Sequence, residues 1–129
     1  SMYHAGTKEF FEVYTKRALA AKVDPLGYYL APYGYASGQM IEAAVNATKS
    51  LDQKGLAKYL RENEHKTIVG PIAFAADGEW KESATVQAQF RGVVDKDIEQ
   101  FRKPGKQVIL YPDKLKTGTL VSPFEAARK

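Results

Sequence analysis

The order of the predicted elements constrains the fold of this chain more than any other feature of its sequence. Segments with helical spacing fill the first half, and extended segments follow in the second half. A parallel sheet needs helices that alternate with strands, because each helix is the crossover between two parallel neighbours. The front half supplies helices without the strands that they would cover. We therefore expect this chain to be one part of a larger α/β fold.

Three helices are predicted from apolar positions that repeat with helical spacing. The first begins with Thr7 as its N-cap and ends before a turn at residues 24–27. The third begins with a capping box formed by Ser50 and Gln53 and ends around Asn63. The apolar positions of the three helices are, in chain order, Phe10, Phe11, Tyr14, Ala18, Leu19; Ala36, Met40, Ala43, Ala44, Ala47; Leu56, Tyr59 and Leu60.

The second half predicts a hairpin and one further strand. Residues 68–74 read as extended chain, residues 76–78 as a turn, and residues 84–94 as a half-buried strand, because apolar and polar side chains alternate there. A last strand at residues 107–111 is stopped by Pro112, and the tail after it is expected to be irregular.

Composition and charge exclude several classes of protein. The formal net charge is +4, and we read the excess of Lys and Arg as spread along the chain, with residues 102–106 as a solvated loop. Nucleic-acid binding is therefore not expected. No apolar run approaches the roughly 20 residues that span a bilayer. The first residues lack the basic and apolar segments of a signal peptide, and cysteine is absent.

Residues that could carry catalysis or bind a metal are scattered. His4 and His65 lie far apart in the sequence without clustered carboxylates, so no metal site is expected. Ser37 and Ser122 lack a nearby base, and no segment has the Lys and hydroxyl residue of a phosphate-binding loop. Trp80 is expected to pack on a helix. The sequence thus predicts neither an enzyme nor a cofactor.

Five segments, in this order and at these intervals, match the pattern of one protein family. They are residues 24–29 followed by Tyr35 and Ala36 at a helix start, residues 67–74 with the spacing T-x-x-G-x-x-x-F, and residues 77–80, 89–93 and 108–118. Together they resemble the C-terminal part of periplasmic solute-binding proteins of the branched-chain amino-acid (leucine/isoleucine/valine) ABC-transport type. The match covers most of this chain and only the last portion of a family member.

This resemblance implies a partial type I periplasmic-binding-protein fold: helices, a β-hairpin and a C-terminal strand of a doubly wound α/β lobe. Residues 1–83 would belong to the first, N-terminal lobe, and residues 84–129 would form a hinge-crossing strand and a C-terminal extension toward the second lobe. The protein would lie in the periplasm, capture a small amino acid or a related aliphatic amide, and deliver it to the membrane permease of an ABC transporter. A ligand-sensing domain of a signalling receptor with the same fold is the alternative.

The resemblance also implies a binding site, in which an aromatic or apolar side chain just after the turn at residues 24–27 packs against the ligand. This role maps to Tyr29, with Leu30 or Tyr33 as alternatives, whereas the ligand's ammonium and carboxylate would be held mainly by groups upstream. The same tyrosines could instead be core or interface residues. The apolar faces of the helices further predict that the chain self-associates.

Overall fold

A computed structural model describes most of the chain. The described residues are 4–24, 29–82, 85–95 and 98–128, without the side chains of Ile98 and Arg102. They form α-helices and small antiparallel sheets, so the expectation of mixed α/β content is confirmed. Most of the predicted turn at residues 24–27, and the start of the predicted strand at residue 84, lie outside the described residues.

The chain divides into two compact units, Ser1–Ser83 and Ala84–Lys129. The elements of the first unit are the helices α1 (Thr7–Ala21), α2 (Ala31–Thr48) and α3 (Gln53–Glu62), and the strands β1 (His65–Thr67) and β2 (Gly70–Ile72), which pair antiparallel. All three predicted helices are confirmed. The start expected at Tyr35 and Ala36 is wrong for the middle one, which begins at Ala31. Pro32 lies in its first turn, where a missing N–H breaks no helical hydrogen bond.

The start of α1 corrects the predicted cap. Gly6 is the N-cap, in a left-handed conformation, and Thr7 is the first helical residue. The Thr7 side chain is buried, and its hydroxyl donates a hydrogen bond of 2.6 Å to the carbonyl oxygen of Ile68. Thr7 therefore connects the helix to the turn between β1 and β2, a contact between residues far apart in the sequence.

The start of α3 also differs from the predicted capping box. Asp52 is the N-cap, and its carboxylate accepts a hydrogen bond of 2.7 Å from the backbone N–H of Gly55. The hydroxyl of Ser50 instead accepts from the backbone N–H of Asp52 at 3.0 Å. Both residue types serve as caps, and the sequence contains two candidates two positions apart, so the choice depends on the path of the incoming chain.

The core of the first unit lies around Ile68. Its side chain is 2% exposed, and its backbone N–H donates a 3.0 Å hydrogen bond to the side-chain oxygen of Gln39 on α2. The other buried apolar side chains of this unit are Ala18, Ala36, Ala44 and Ile72. The core is thus made largely of alanines, whose small side chains allow neighbouring segments to pack closely. The apolar positions of α3 are only half-buried.

The second unit contains a two-stranded antiparallel sheet. Its elements are β3 (Gln87–Phe90), a 3-10 helix (Ile98–Arg102), β4 (Gln107–Tyr111), a second 3-10 helix (Asp113–Leu115) and the short helix α4 (Phe124–Ala127). The predicted last strand is confirmed with its stop at Pro112. The predicted hairpin is wrong: β3 pairs with β4, and β1 pairs with β2. The turn near Gly78 closes only a local loop, in which Phe74 bridges to Trp80.

Two glutamine side chains hold the loops of this unit, and each pairs with both backbone groups of a single residue. Gln89 donates to the carbonyl oxygen of Val121 at 2.8 Å and accepts from its N–H at 3.0 Å. Gln100 donates to the carbonyl oxygen of Val94 at 2.6 Å and accepts from its N–H at 2.9 Å. A primary amide carries the donor and the acceptor that this arrangement needs.

Truncation of Gln100 tests this role. Gln100 is 4% exposed, so Gln100→Ala leaves the N–H and carbonyl of Val94 without these partners. We expect a loss of about 1–3 kcal/mol in the free energy of opening of this unit, measured by hydrogen exchange of the β3 and β4 amides. The control is Gln107→Ala, an exposed glutamine, for which we expect a change within about 0.5 kcal/mol. Equal protection in both variants would contradict the assigned role.

Candidate functional site

The beginning of α2 positions all three residues of the predicted ligand contact. Leu30 is the N-cap, and its carbonyl oxygen accepts hydrogen bonds from the N–H groups of Tyr33 at 3.0 Å and Gly34 at 3.1 Å. Pro32 occupies the first turn and restricts φ there to a value that suits the helix. Tyr29 directly precedes the cap. The three side chains therefore leave the chain within one helical turn.

These three side chains are exposed. Tyr29 is 68% exposed, Leu30 is 66% exposed, and Tyr33 is 46% exposed. Side chains this exposed are not part of the core. Two of the three roles considered from the sequence are consistent with the exposure, namely a ligand contact and a protein interface. Large apolar side chains grouped on a surface often mark a binding or interaction site, whereas isolated ones do not.

Trp80 extends this surface, although the sequence pattern does not include it in the predicted site. The rings of Tyr33 and Trp80 meet edge to face, with centroids 6.4 Å apart and an interplanar angle of 81°. The prediction that Trp80 packs on a helix is confirmed, since Tyr33 belongs to α2. A single tryptophan next to an Asp-Gly turn is the available signal, because such turns place a neighbouring side chain at the surface.

A tight loop holds Trp80 in this position. Ala75 N–H donates to the Glu79 carbonyl oxygen at 2.8 Å, and Lys81 N–H donates to that of Ala73 at 2.8 Å. The Asp77 carboxylate accepts from the Glu79 N–H at 2.9 Å, and Gly78 adopts a φ of 87° that favours glycine. These bonds close the loop on itself and present the indole to the start of α2.

Tyr29, Leu30 and Tyr33 are neighbours at the start of α2, and Trp80 contacts Tyr33. The aromatic rings supply flat apolar area, and each tyrosine hydroxyl can donate or accept one hydrogen bond at its edge. We name this set of four residues the aromatic surface. It provides shape and apolar contact, and none of its four side chains carries a charge that would bind an ammonium or a carboxylate.

Two of the residues considered for catalysis, Ser37 and His65, each bond to a nearby backbone carbonyl. The Ser37 hydroxyl donates to the carbonyl oxygen of Tyr33 at 2.9 Å, a bond within α2. The buried His65 ring lies 2.9 Å from the carbonyl oxygen of Leu60 and contacts the ring of Tyr59. Among the described residues, no three histidine, aspartate or glutamate side chains are grouped in a way that could hold a metal ion.

Helix length and polarity bear on membrane insertion. Within the described ranges, none of the helices combines the length and the apolar character needed to cross a bilayer.

No protein-family model, no curated protein and no solved structure matches this chain.

Proposed function

We propose that this chain is part of a solute-binding protein that captures a small amino acid or a related aliphatic amide. The ligand would be handed to the membrane permease of an ABC transporter, and the protein would act in the periplasm. The aromatic surface supports the proposal most directly, because it exposes apolar area at the positions where the resemblance expects the ligand's side chain. The partial type I periplasmic-binding-protein fold, with residues 1–83 in the first lobe, belongs to the same proposal.

The chemistry of the aromatic surface suggests what this chain contributes to binding. Tyr29, Leu30 and Tyr33 would cover the apolar part of the ligand, and upstream groups would hold its charged ends. Ligand closure of such a protein requires that the closed state bind the ligand more tightly than the open state. A side chain that covers the ligand from one lobe contributes to that difference in affinity. On its own, this surface is expected to bind weakly.

Tryptophan fluorescence tests the proposal on the chain as it stands, because Trp80 is the only tryptophan and lies against Tyr33. Titration with leucine, isoleucine, valine or butyramide should change its emission in a saturable way, with a dissociation constant on the order of 1 mM, about −4 kcal/mol. Tyr29→Ala should weaken the response about threefold to tenfold, because apolar contact with one ring is lost.

A matched control is available in the second unit. Tyr111 is 59% exposed, similar to Tyr29, so Tyr111→Ala removes a similarly exposed ring that belongs to the other unit. It should leave the titration unchanged. Two results would refute the proposed role of this surface. One is Trp80 emission that stays constant up to a ligand concentration 50-fold above the expected dissociation constant of about 1 mM. The other is a response that Tyr29→Ala and Tyr111→Ala reduce equally.

A further inference from the structure

The second unit contains an apolar cleft of its own. Its volume is about 730 Å³, and it lies beside the β3–β4 sheet. Phe90, Phe101, Leu110, Leu120 and Phe124 supply most of its apolar lining. The volume falls within the range of roughly 300–1,000 Å³ that is usual for small-molecule sites. The cleft is therefore large enough for a small ligand.

The apolar side chains at this cleft remain accessible. Phe124 is 62% exposed, Leu120 is 66% exposed, and Phe90 is 50% exposed. By contrast, the described side chains of this unit that are buried are those of Val108, Ala127 and Gln100. Burial of apolar side chains is favourable in water, so a ligand that covers these rings gains free energy of binding.

Charge is concentrated in the same unit. Ala84–Lys129 contains nine Lys and Arg and five Asp and Glu, a net of +4, whereas Ser1–Ser83 contains ten of each. The whole formal charge of the chain thus belongs to the second unit. The prediction that the basic excess is spread along the chain is wrong.

One of these cations lines the cleft, and two others bond to residues that line it. Arg128 lines it directly, and Glu125, three residues earlier, is not part of the lining. Arg91 Nε donates to Oε1 of the lining residue Gln89 at 3.0 Å, and Lys106 Nζ donates to the carbonyl oxygen of the lining residue Gly92. An apolar cleft with an arginine in its lining complements a ligand with an apolar body and one anionic end.

The geometry points to this cleft as a binding site for a small amphipathic anion, namely an aliphatic or aromatic carboxylate or sulfonate. The apolar body packs on Phe90, Phe101, Leu120 and Phe124, and the anionic group accepts a hydrogen bond from the guanidinium of Arg128. This inference does not depend on the proposed function, because the aromatic surface and the cleft belong to different units.

Two fluorescent probes with nearly the same apolar body separate the contributions of charge and apolar contact. The anionic probe is 1-anilinonaphthalene-8-sulfonate, and N-phenyl-1-naphthylamine is its neutral counterpart. The full chain should bind the anionic probe with a stoichiometry of one and at least about threefold more tightly than the neutral probe, the size of one exposed ion pair. Decanoate should displace the anionic probe competitively.

Three variants test the assignment of residues. Arg128→Gln should weaken anionic-probe binding about threefold to fivefold and leave neutral-probe binding unchanged, because only the ion pair is lost. Phe124→Asp should weaken binding of both probes at least about tenfold. Phe124 is exposed at the start of α4, where aspartate is compatible with the helix, so this variant should keep its far-ultraviolet circular dichroism. Lys103→Gln removes one charge outside the lining and should change nothing.

Three outcomes would overturn the inference. Equal affinity for both probes, or equal effects of Arg128→Gln and Lys103→Gln, would mean that the cleft does not select anions. A dimer in sedimentation that Phe124→Asp converts to a monomer, together with no saturable probe binding by the wild type, would mean that a second copy covers the cleft.

Discussion

Replacing Ile68 with alanine should lower the free energy of unfolding of the first unit by about 2–4 kcal/mol. Ile68 is 2% exposed, and it is one of the two largest fully buried side chains. Its backbone carbonyl accepts the Thr7 hydroxyl, and its N–H binds Gln39, so the surrounding chain is held in place and collapses little around the lost atoms. The cavity that remains adds to the lost transfer free energy.

Urea unfolding followed by Trp80 emission measures this effect, because Trp80 belongs to the first unit. The matched control is Ile41→Ala on α2, where the side chain is 55% exposed and truncation should cost less than about 1 kcal/mol. The expected loss is a large fraction of the roughly 5–15 kcal/mol by which a typical domain is stable. Similar midpoints for the two variants would show that Ile68 is not the centre of this core.

Alanine substitutions at two glycines should change stability in opposite directions. Gly70 has a φ of 110°, and a Cβ there would lie 3.0 Å from Cε1 and Nε2 of His4. Backbone strain and this close contact together should make Gly70→Ala destabilising by about 1–3 kcal/mol. Gly38 lies inside α2, and a Cβ added there would meet nothing within 4 Å, so Gly38→Ala should stabilise by about 0.5–1 kcal/mol.

Thermal unfolding of the two glycine variants gives the sign directly. The melting temperature should fall for Gly70→Ala and rise for Gly38→Ala, by roughly 4–8 °C per kcal/mol for a unit of this size. A second substitution, His4→Ala in the Gly70→Ala background, separates strain from contact. It should recover the part of the loss that comes from the imidazole. No decrease for Gly70→Ala would mean that the turn between β1 and β2 relaxes freely.

Local patterns in the sequence are sufficient to predict the helices and the last strand. The apolar spacing of α1, α2 and α3 repeats every three to four residues, and this period arises from contacts between neighbours on one helix. Pro112 ends β4 because it lacks an N–H and restricts its neighbour. Such signals act over a few residues, so they predict these elements, although the starts of α1 and α3 differ by one or two positions and α2 begins four residues before Tyr35.

The partners of the strands cannot be predicted in the same way. Residues 84–94 alternate as a strand should, and a turn precedes them, so a hairpin with residues 68–74 is the local expectation. Instead, β3 pairs with β4 across an intervening 3-10 helix, with Ala88 opposite Ile109. The alternation of apolar and polar residues shows which side chains share a face of the strand. It does not show which other strand pairs with it.

The candidate site shows the same division between local and tertiary information. Tyr29, Leu30 and Tyr33 are identified from their place after a turn, and helix α2 brings them within one turn. Trp80 joins them only through a contact between residues 47 positions apart in the chain. The cleft of the second unit is likewise invisible in the sequence, because its rings come from β3, the first 3-10 helix and α4.

The sequence alone determined the three long helices, the end of β4 and which residues carry aromatic rings after the first helix, because these properties depend on near neighbours. The helical turns at Asp113–Leu115 and Phe124–Ala127 were not predicted, since the tail after Pro112 was expected to be irregular. Only the tertiary structure decided that Thr7 binds Ile68, that β3 lies on β4, and that Phe90, Phe101 and Phe124 line one cleft. Those outcomes require segments distant in the chain to meet, and the free energy of each contact depends on every other segment that competes for the same partner.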